Sequence, residues 1–256
     1  MAKDKWDPAQ YDRFKNERAQ PFYDLMAMVQ ARPGMRIYDL GCGTGELTRV
    51  LHRTLRAGYT LGIDNSKAML GKAAGEAGRS LRFALKSISK FTTAKKADLV
   101  FSNAALQWLP NHARLLAKLS RLLKKEGQLA VQVPANHGHV SHSIARQLAA
   151  EAPFARILGR PRIPNVLGPA AYASLLHQLG FKEQRVELRV YGHLLGTRED
   201  VIEWVKGTLL TWYESRLGQD LYPRFLAEYR RRLLPELKDT RPHFYPFERI
   251  LMWASR

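Results

Sequence analysis

From about residue 22 to 135, short apolar runs alternate with stretches of helical period, the pattern of a parallel sheet covered on both faces. MRIYDL (35–40) reads as a first strand, followed by a helix from about Glu46 to Leu55, and YTLGID (59–64) reads as a second strand. Ser66 can cap a helix running through Ala68, Met69 and Leu70. LRFAL (81–85) and ADLVFS (97–102) supply strands three and four. Asn111 caps a helix whose Leu115, Leu116, Leu119, Leu122 and Leu123 form an apolar stripe, with Gly127 expected to end it and QLAVQV (128–133) to make strand five.

Beyond Pro134 the rhythm changes. Residues 136–168 hold a short helical pattern around 141–151 and then RPRIPNVLGP, too rich in Pro and Gly for a core element, so an inserted loop or lid is expected. PAAYASLLHQLG (169–180) resumes as a helix with Gly180 past its end, and EQRVELRVYG (183–192) alternates as a strand does. Thr197 with Asp200 fits a capping box before VIEWVKGTLLTWYESRL. A further amphipathic helix covers about 221–234, and FERILMWAS (247–255) reads as a last strand. No repeat, low-complexity segment or linker divides the chain, so 1–256 is expected to be a single domain.

A hydrophobic content of 45% is ample for a buried core, and no apolar stretch is long enough to span a membrane. The segment MAKDKWDPAQ lacks the apolar centre of an export signal, which makes the cytoplasm the default. One cysteine forms neither an intramolecular disulfide nor a thiolate metal cluster. The formal charge of +18 favours anionic partners, whether nucleic acid, an acidic carrier protein or a small polycarboxylate. Its basic residues are dispersed, as in Lys95–Lys96, Lys124–Lys125 and Arg230–Arg232, and most read as solvated surface.

IYDLGCGTGELTRVL (37–51) carries the chemistry. Gly41, Gly43 and Gly45 follow a strand and open a helix, where backbone amides and the positive helix end can face an anionic group. Glu46 stands where the dinucleotide fingerprint needs its third glycine, and the Gly-Lys-Ser/Thr of a phosphate loop is absent. Asp64, ending the next strand, is placed to accept hydrogen bonds from ribose hydroxyls. Cys42 suits a tight turn as a small residue, since GCGTG supplies no base to activate it.

YDLGCGTG followed by GID resembles the first two motifs of class I S-adenosylmethionine-dependent methyltransferases. The resemblance implies a Rossmann-like α/β fold with a mostly parallel seven-stranded sheet, helices on both faces, cap helices over 1–30, and insertions at 136–168 and 197–240 over the site. It implies S-adenosyl-L-methionine as cofactor, with S-adenosyl-L-homocysteine as product. The loop from Asp39 to Gly45 would wrap its methionine end and Asp64 hold its ribose. Asn65, Met69, Ser87, Ile88, Asn103, Ala104 and Gln107 join the implied cofactor contacts, with Tyr11 and Arg18 in an N-terminal cap. Where family members usually carry an acid for the adenine amino group, this chain has Ser87 preceded by Lys86, a weaker acceptor. Asp98 lies too deep in the fourth strand to substitute.

WDPAQYDRFKNERAQP (6–21), FSNAALQWLPNH (101–112), LAVQVP (129–134) and VIEWVKGTLLTWYESRL (201–217) together resemble the trans-aconitate 2-methyltransferase family, nearly end to end. That likeness implies a methyl ester formed on a small di- or tricarboxylic acid. Carboxyl methyltransferases acting on carrier-bound acids such as malonyl carrier protein share the LQW element and stand as the alternative. An RNA methyltransferase is disfavoured because NAAL replaces the polar-Pro-Pro-aromatic motif, and a cofactor-binding remnant is a further reading. A carboxylate is already nucleophilic at neutral pH, so positioning rather than a catalytic base is required. Trp108 could line the site, and Arg162, Arg189, Arg241 and Arg249 are candidates to hold substrate carboxylates. His137, His139 and His142 read as a polar loop, with no metal expected.

Overall fold

The computed structural model describes residues 15–159 and 164–256, with side chains described from residue 19 onward. Its strands are β1 (Arg36–Leu40), β2 (Tyr59–Asp64), β3 (Leu81–Leu85), β4 (Ala97–Asn103), β5 (Leu123–Pro134), β6 (Glu183–Leu195) and β7 (His243–Ser255). They form one sheet in the order β3-β2-β1-β4-β5-β7-β6. β3, β2, β1, β4 and β5 run parallel, and β7 is antiparallel to β5. The carboxyl ends of the parallel strands therefore share one edge: Leu40, Asp64, Leu85, Asn103 and Pro134. Chain order reverses across β1, whose neighbours are β2 and β4, and open α/β sheets bind ligands in the crevice at such a reversal.

The described helices are α1 (Lys15–Ala27), α2 (Glu46–Thr54), α3 (Lys67–Ala73), α4 (His112–Ser120), α5 (Val140–Ala149), α6 (Phe154–Leu158), α7 (Pro169–Gln178), α8 (Asp200–Lys206) and α9 (Leu209–Leu233). Two compact units emerge. One comprises Arg18–Pro134, Asn165–Arg189 and Arg249–Arg256, and the other takes in Ala135–Pro164 and Val190–Glu248. The first packs Ile37, Leu40, Ile63, Leu99, Phe101 and Leu119, all without measurable exposure, between sheet and helices. The second has an aromatic core, in which Tyr213 stacks on Phe225 at 4.8 Å and Trp204 meets Tyr245 edge-on at 5.9 Å. Each unit is assembled from discontinuous stretches, so the sequence contains no linker to mark them.

Three sequence expectations are corrected. Gly127 does not end a helix. α4 stops at Ser120, where the amides of Arg121 and Leu122 turn back to Lys118 and Leu119, and Leu123 already pairs with Ala97 in β5. Gly127 sits instead beside a register shift, where a Cβ would come within 2.9 Å of Leu123 Cβ and 3.1 Å of the Ala97 carbonyl. The helix expected after Thr197 breaks into α8 and α9 at Gly207–Thr208, because Thr208 is non-helical. The helix expected over 221–234 is the second half of α9, which starts at Leu209 and is kinked at Gly218 (φ +64°). The 136–168 segment also contains α6, which its Pro-rich surroundings hid.

Candidate active site

The glycine loop leaves β1 at the sheet reversal. Gly41 and Cys42 donate backbone hydrogen bonds to the Ile63 carbonyl at 2.8 and 3.1 Å, folding the loop against the end of β2. Gly41 adopts φ +82°, and a Cβ there would stand 2.3 Å from Ala105 Cβ, so only glycine fits. Gly43 (φ +55°) differs, since among the described residues nothing lies within 4 Å of where its Cβ would be. Its amide donates to Asp64 Oδ2 at 3.0 Å, while Asp64 Oδ1 accepts from Ser66 N at 2.9 Å. Asp64 thus ties the loop to β2, and each oxygen keeps lone-pair capacity for hydroxyl donors. Gly45 opens α2 with no side-chain cap. An open cradle of backbone amides beside an aligned carboxylate fits a nucleoside cofactor.

Beneath the loop, Asp39 is buried and its Oδ2 accepts from the Thr48 hydroxyl at 2.6 Å. Burial raises its pKa to about 7, with the Asp64 charge adding to the rise and the Thr48 bond opposing it. The same burial, with the Asp39 and Asp64 charges, pushes the Cys42 thiol far above its ordinary range. Cys42 is therefore an unreactive space-filler, and its Cβ would lie 2.9 Å from a Cβ added at Gly62.

At the end of β3, Leu85 pairs in register with Asp64 yet is half exposed, at 49%. Ser87 Oγ shares a 2.8 Å hydrogen bond with Ser89 Oγ, and the Ile88 side chain reaches within 3.8 Å of the Cβ position of Gly41. Lys118 of α4 donates to the Ile88 and Ser89 carbonyls at 3.4 and 2.6 Å, which fixes this turn. Asn65 is exposed, and Met69 is buried on α3 behind the Ser66 cap, whose Oγ accepts from Met69 N. Asp98 lies at the opposite edge, at the start of β4, bonded to Arg36 N and Lys124 Nζ.

Asn103 and Ala104 stand at the carboxyl end of β4. Ala104 is left-handed (φ +52°); its amide donates to the Gln132 carbonyl at 3.0 Å and its own carbonyl accepts from Gln107 Nε2 at 2.7 Å. The 3₁₀ turn Leu106–Trp108 follows, with Trp108 half-buried. His112 anchors this turn: its ring nitrogens meet the Leu106 carbonyl (Nε2, 3.0 Å) and the Tyr172 hydroxyl (Nδ1), and burial lowers its pKa. Because a carbonyl only accepts, Nε2 carries the proton and Nδ1 accepts from Tyr172. Asn103 Oδ1 and Gln107 Oε1 are buried without a hydrogen-bond partner among the described residues.

The arginines separate. Arg249 is buried on β7 at the carboxyl edge, in register with Pro134 of β5. Arg189 on β6 is engaged instead by Glu187 (2.7 Å) and Asp24 (3.3 Å), and Arg241 is exposed in the turn before β7. Tyr11 and Arg162 lie outside the described residues, as does the side chain of Arg18. In the second unit His139 Nδ1 caps α5 by accepting from Ser141 N, and His137 and His142 meet edge-on at 5.9 Å. Among the described residues no cluster of three or more His, Cys, Asp or Glu could hold a metal ion, and no helix is long and apolar enough to cross a membrane.

Sequence reasoning did not single out Thr48, Lys118, Tyr172 or Gln132, which the structure places beside these residues. Thr48 and Lys118 act through residues distant in sequence, and Tyr172 looked like one aromatic among a helix's apolar positions. Gln132 lay hidden inside a strand motif.

The sheet order and the glycine cradle tied to Asp64 define a class I S-adenosylmethionine-dependent methyltransferase. The same fold occurs in an S-adenosylmethionine-dependent methyltransferase from Mesorhizobium loti (TM-score 0.52, 20% identity, covering 95% of this chain and 100% of that one). It recurs in a Haemonchus contortus phosphoethanolamine N-methyltransferase (TM-score 0.57, 16% identity, 92% and 52%). The Methyltransferase domain family matches residues 31–179. A trans-aconitate 2-methyltransferase of Deinococcus radiodurans is 43% identical over 98% of both chains. That of Streptomyces avermitilis is 39% identical, covering 98% of this chain and 97% of its own. The Variovorax paradoxus enzyme is 38% identical, over 89% and 88%. The chain belongs to the trans-aconitate 2-methyltransferase family.

Proposed function

We propose that this protein transfers a methyl group to a carboxylate of a small di- or tricarboxylic acid, trans-aconitate above all, giving a methyl ester. The observation that carries the reading is the 43% identity, end to end, to a trans-aconitate 2-methyltransferase. S-adenosylmethionine, when bound, supplies an electrophilic methyl group on a sulfonium. The chain's residues hold the reactants. Gly41–Gly45 cradle the amino-acid end, Asp64 accepts from the ribose hydroxyls, Ser87 and Ile88 border the adenine, and Asn103, Ala104 and Gln107 line the side toward the acceptor. Asn65, Met69, Tyr11 and Arg18 join by resemblance.

No side chain needs to remove a proton, because the acceptor oxygen is anionic at neutral pH. Rate comes from orientation and exclusion of water. Among the described candidate arginines, Arg249, buried at the carboxyl edge, is the one we assign to hold a second carboxylate through paired hydrogen bonds.

The test offers purified protein labelled S-adenosylmethionine with trans-aconitate, related tricarboxylates, malonyl carrier protein and bulk RNA in parallel. Base-labile label in the tricarboxylate arm is expected. Label confined to the carrier protein, or base-stable label in RNA, overturns the acid reading.

A further inference from the structure

Two glutamines of β5 stand on the same face of the sheet, four residues apart, in opposite conditions. Gln128 is bonded at both ends: Oε1 accepts from Gln30 N (2.9 Å) and Trp253 Nε1 (2.8 Å), and Nε2 donates to the Gln30 carbonyl (2.8 Å). Gln132 has no exposed surface, and neither its Oε1 nor its Nε2 has a hydrogen-bond partner among the described residues. A buried amide left wholly unpartnered disfavours folding, and such groups in native interiors call for an explanation.

Its position supplies one. Gln132 pairs in register with Asn103 of β4, whose Oδ1 is also buried without a partner, and with Leu251 of β7. Residues paired across strands share a face, and so do residues two apart on one strand. Asn103, Gln132 and Arg249 therefore form a polar row on one face at the carboxyl edge. The cofactor cradle belongs to β1 and β2. Gln132 lies two strands from β1, roughly 9–10 Å across the sheet, beyond β4. Gln132 thus lies on the far side of β4 from the cradle.

We infer that Gln132 is a specificity-determining residue for the acid, its Nε2 hydrogens donating to a substrate carboxylate oxygen in concert with Arg249. The inference rests on the acid-methylating reading above. A neutral amide recognises the carboxylate without adding a buried charge and does not titrate near neutral pH, which suits a reaction whose nucleophile must stay ionised. The vacant hydrogen-bonding capacity of Gln132 is what the acid satisfies.

The experiment compares wild type, Gln132→Leu and Gln132→Glu by three measurements: initial rates against trans-aconitate concentration, S-adenosylhomocysteine affinity by calorimetry, and melting of the ligand-free protein. Gln132→Leu should raise KM for the acid roughly 10- to 100-fold, the loss expected for one hydrogen bond to a charged group, with kcat within a few-fold. Cofactor-product affinity should stay at the wild-type value. The melting temperature should hold or rise, because an unpartnered amide gives way to an apolar group. Gln132→Glu should bind the acid more weakly still and recover part of its activity as pH falls, since it sets carboxylate against carboxylate. An unshifted KM in both variants, a parallel loss of S-adenosylhomocysteine affinity, or a lower melting temperature for Gln132→Leu overturns the role of Gln132 alone. A wild type that methylates no acid overturns the functional reading, and this inference with it.

Discussion

The Tyr172 hydroxyl and the His112 imidazole, sixty positions apart, share a buried hydrogen bond that ties α7 to the turn after β4. Leu167 N donates to the same hydroxyl at 3.2 Å, and His112 passes the chain of bonds on to the Leu106 carbonyl. Burial lowers the His112 pKa, in keeping with the neutral tautomer this chain requires. Tyr172→Phe strands both the Leu167 amide and His112 Nδ1 in the interior. It should lower stability by about 1–3 kcal/mol in urea unfolding and reduce methyl transfer by loosening Leu106–Trp108. Unchanged stability would show the relay to be dispensable.

Gly41 and Gly43 should respond differently to one added methyl group. Gly41→Ala drives a Cβ into Ala105 at φ +82° and should be strongly destabilising, by more than about 3 kcal/mol. Gly43→Ala meets no atom among the described residues, so it should cost only the left-handed backbone penalty of about 1 kcal/mol while placing its methyl in the cradle. Its signature is a folded protein with S-adenosylhomocysteine affinity reduced at least about tenfold by calorimetry.

Asp39 should make cofactor binding depend on pH. With its pKa raised to about 7, the carboxyl is largely protonated in mildly acidic solution. A bound sulfonium favours the ionised form, so binding releases a proton and affinity for S-adenosylmethionine rises with pH, levelling off above about 7. S-adenosylhomocysteine, lacking that charge, should show a flatter profile, and Asp39→Asn should flatten both. The stability sign runs the other way. A carboxyl whose folded pKa is raised supports the fold fully below its ordinary range near 3.8 and loses that support as pH rises through about 7. Ligand-free Asp39→Asn should therefore melt above wild type at about pH 8.

His142 should contribute to acid sensitivity in the other unit. Burial, reinforced by His137, His139 and Arg146, lowers its pKa from 6.5 to about 3. A histidine held neutral supports the fold above its ordinary pKa and loses that support as pH falls from about 6.5 toward 3, with a slope near 1.4 kcal/mol per pH unit. His142→Gln should flatten the decline of stability across this window, read from urea unfolding at successive pH values.

The strands were legible because apolar runs of β-period sit between glycines and prolines, and the cradle because its glycines and Asp64 lie at a readable spacing. Long-range pairing was not. Arg189 reads as a free cation until Glu187 and Asp24 meet it, and Gly127 reads as a helix stop until Leu123 pairs with Ala97. Gln128 and Gln132 are one letter repeated within QLAVQ. Only Gln30, in the segment after α1, and Trp253 on β7 bond the first, and nothing among the described residues bonds the second.

The place of β7 between β5 and β6 also sets a timetable. A ribosome delivers both flanking strands first, then all of α8 and α9, before the strand that joins them. Throughout that interval β5 presents a bare edge on the side that β7 will fill, and β6 has no sheet to join. The nascent chain thus carries two unsatisfied strand edges for the time it takes to synthesise the segment from Gly196 to Pro242. Slowing translation there should increase aggregation, and holdase chaperones should engage this window above all others.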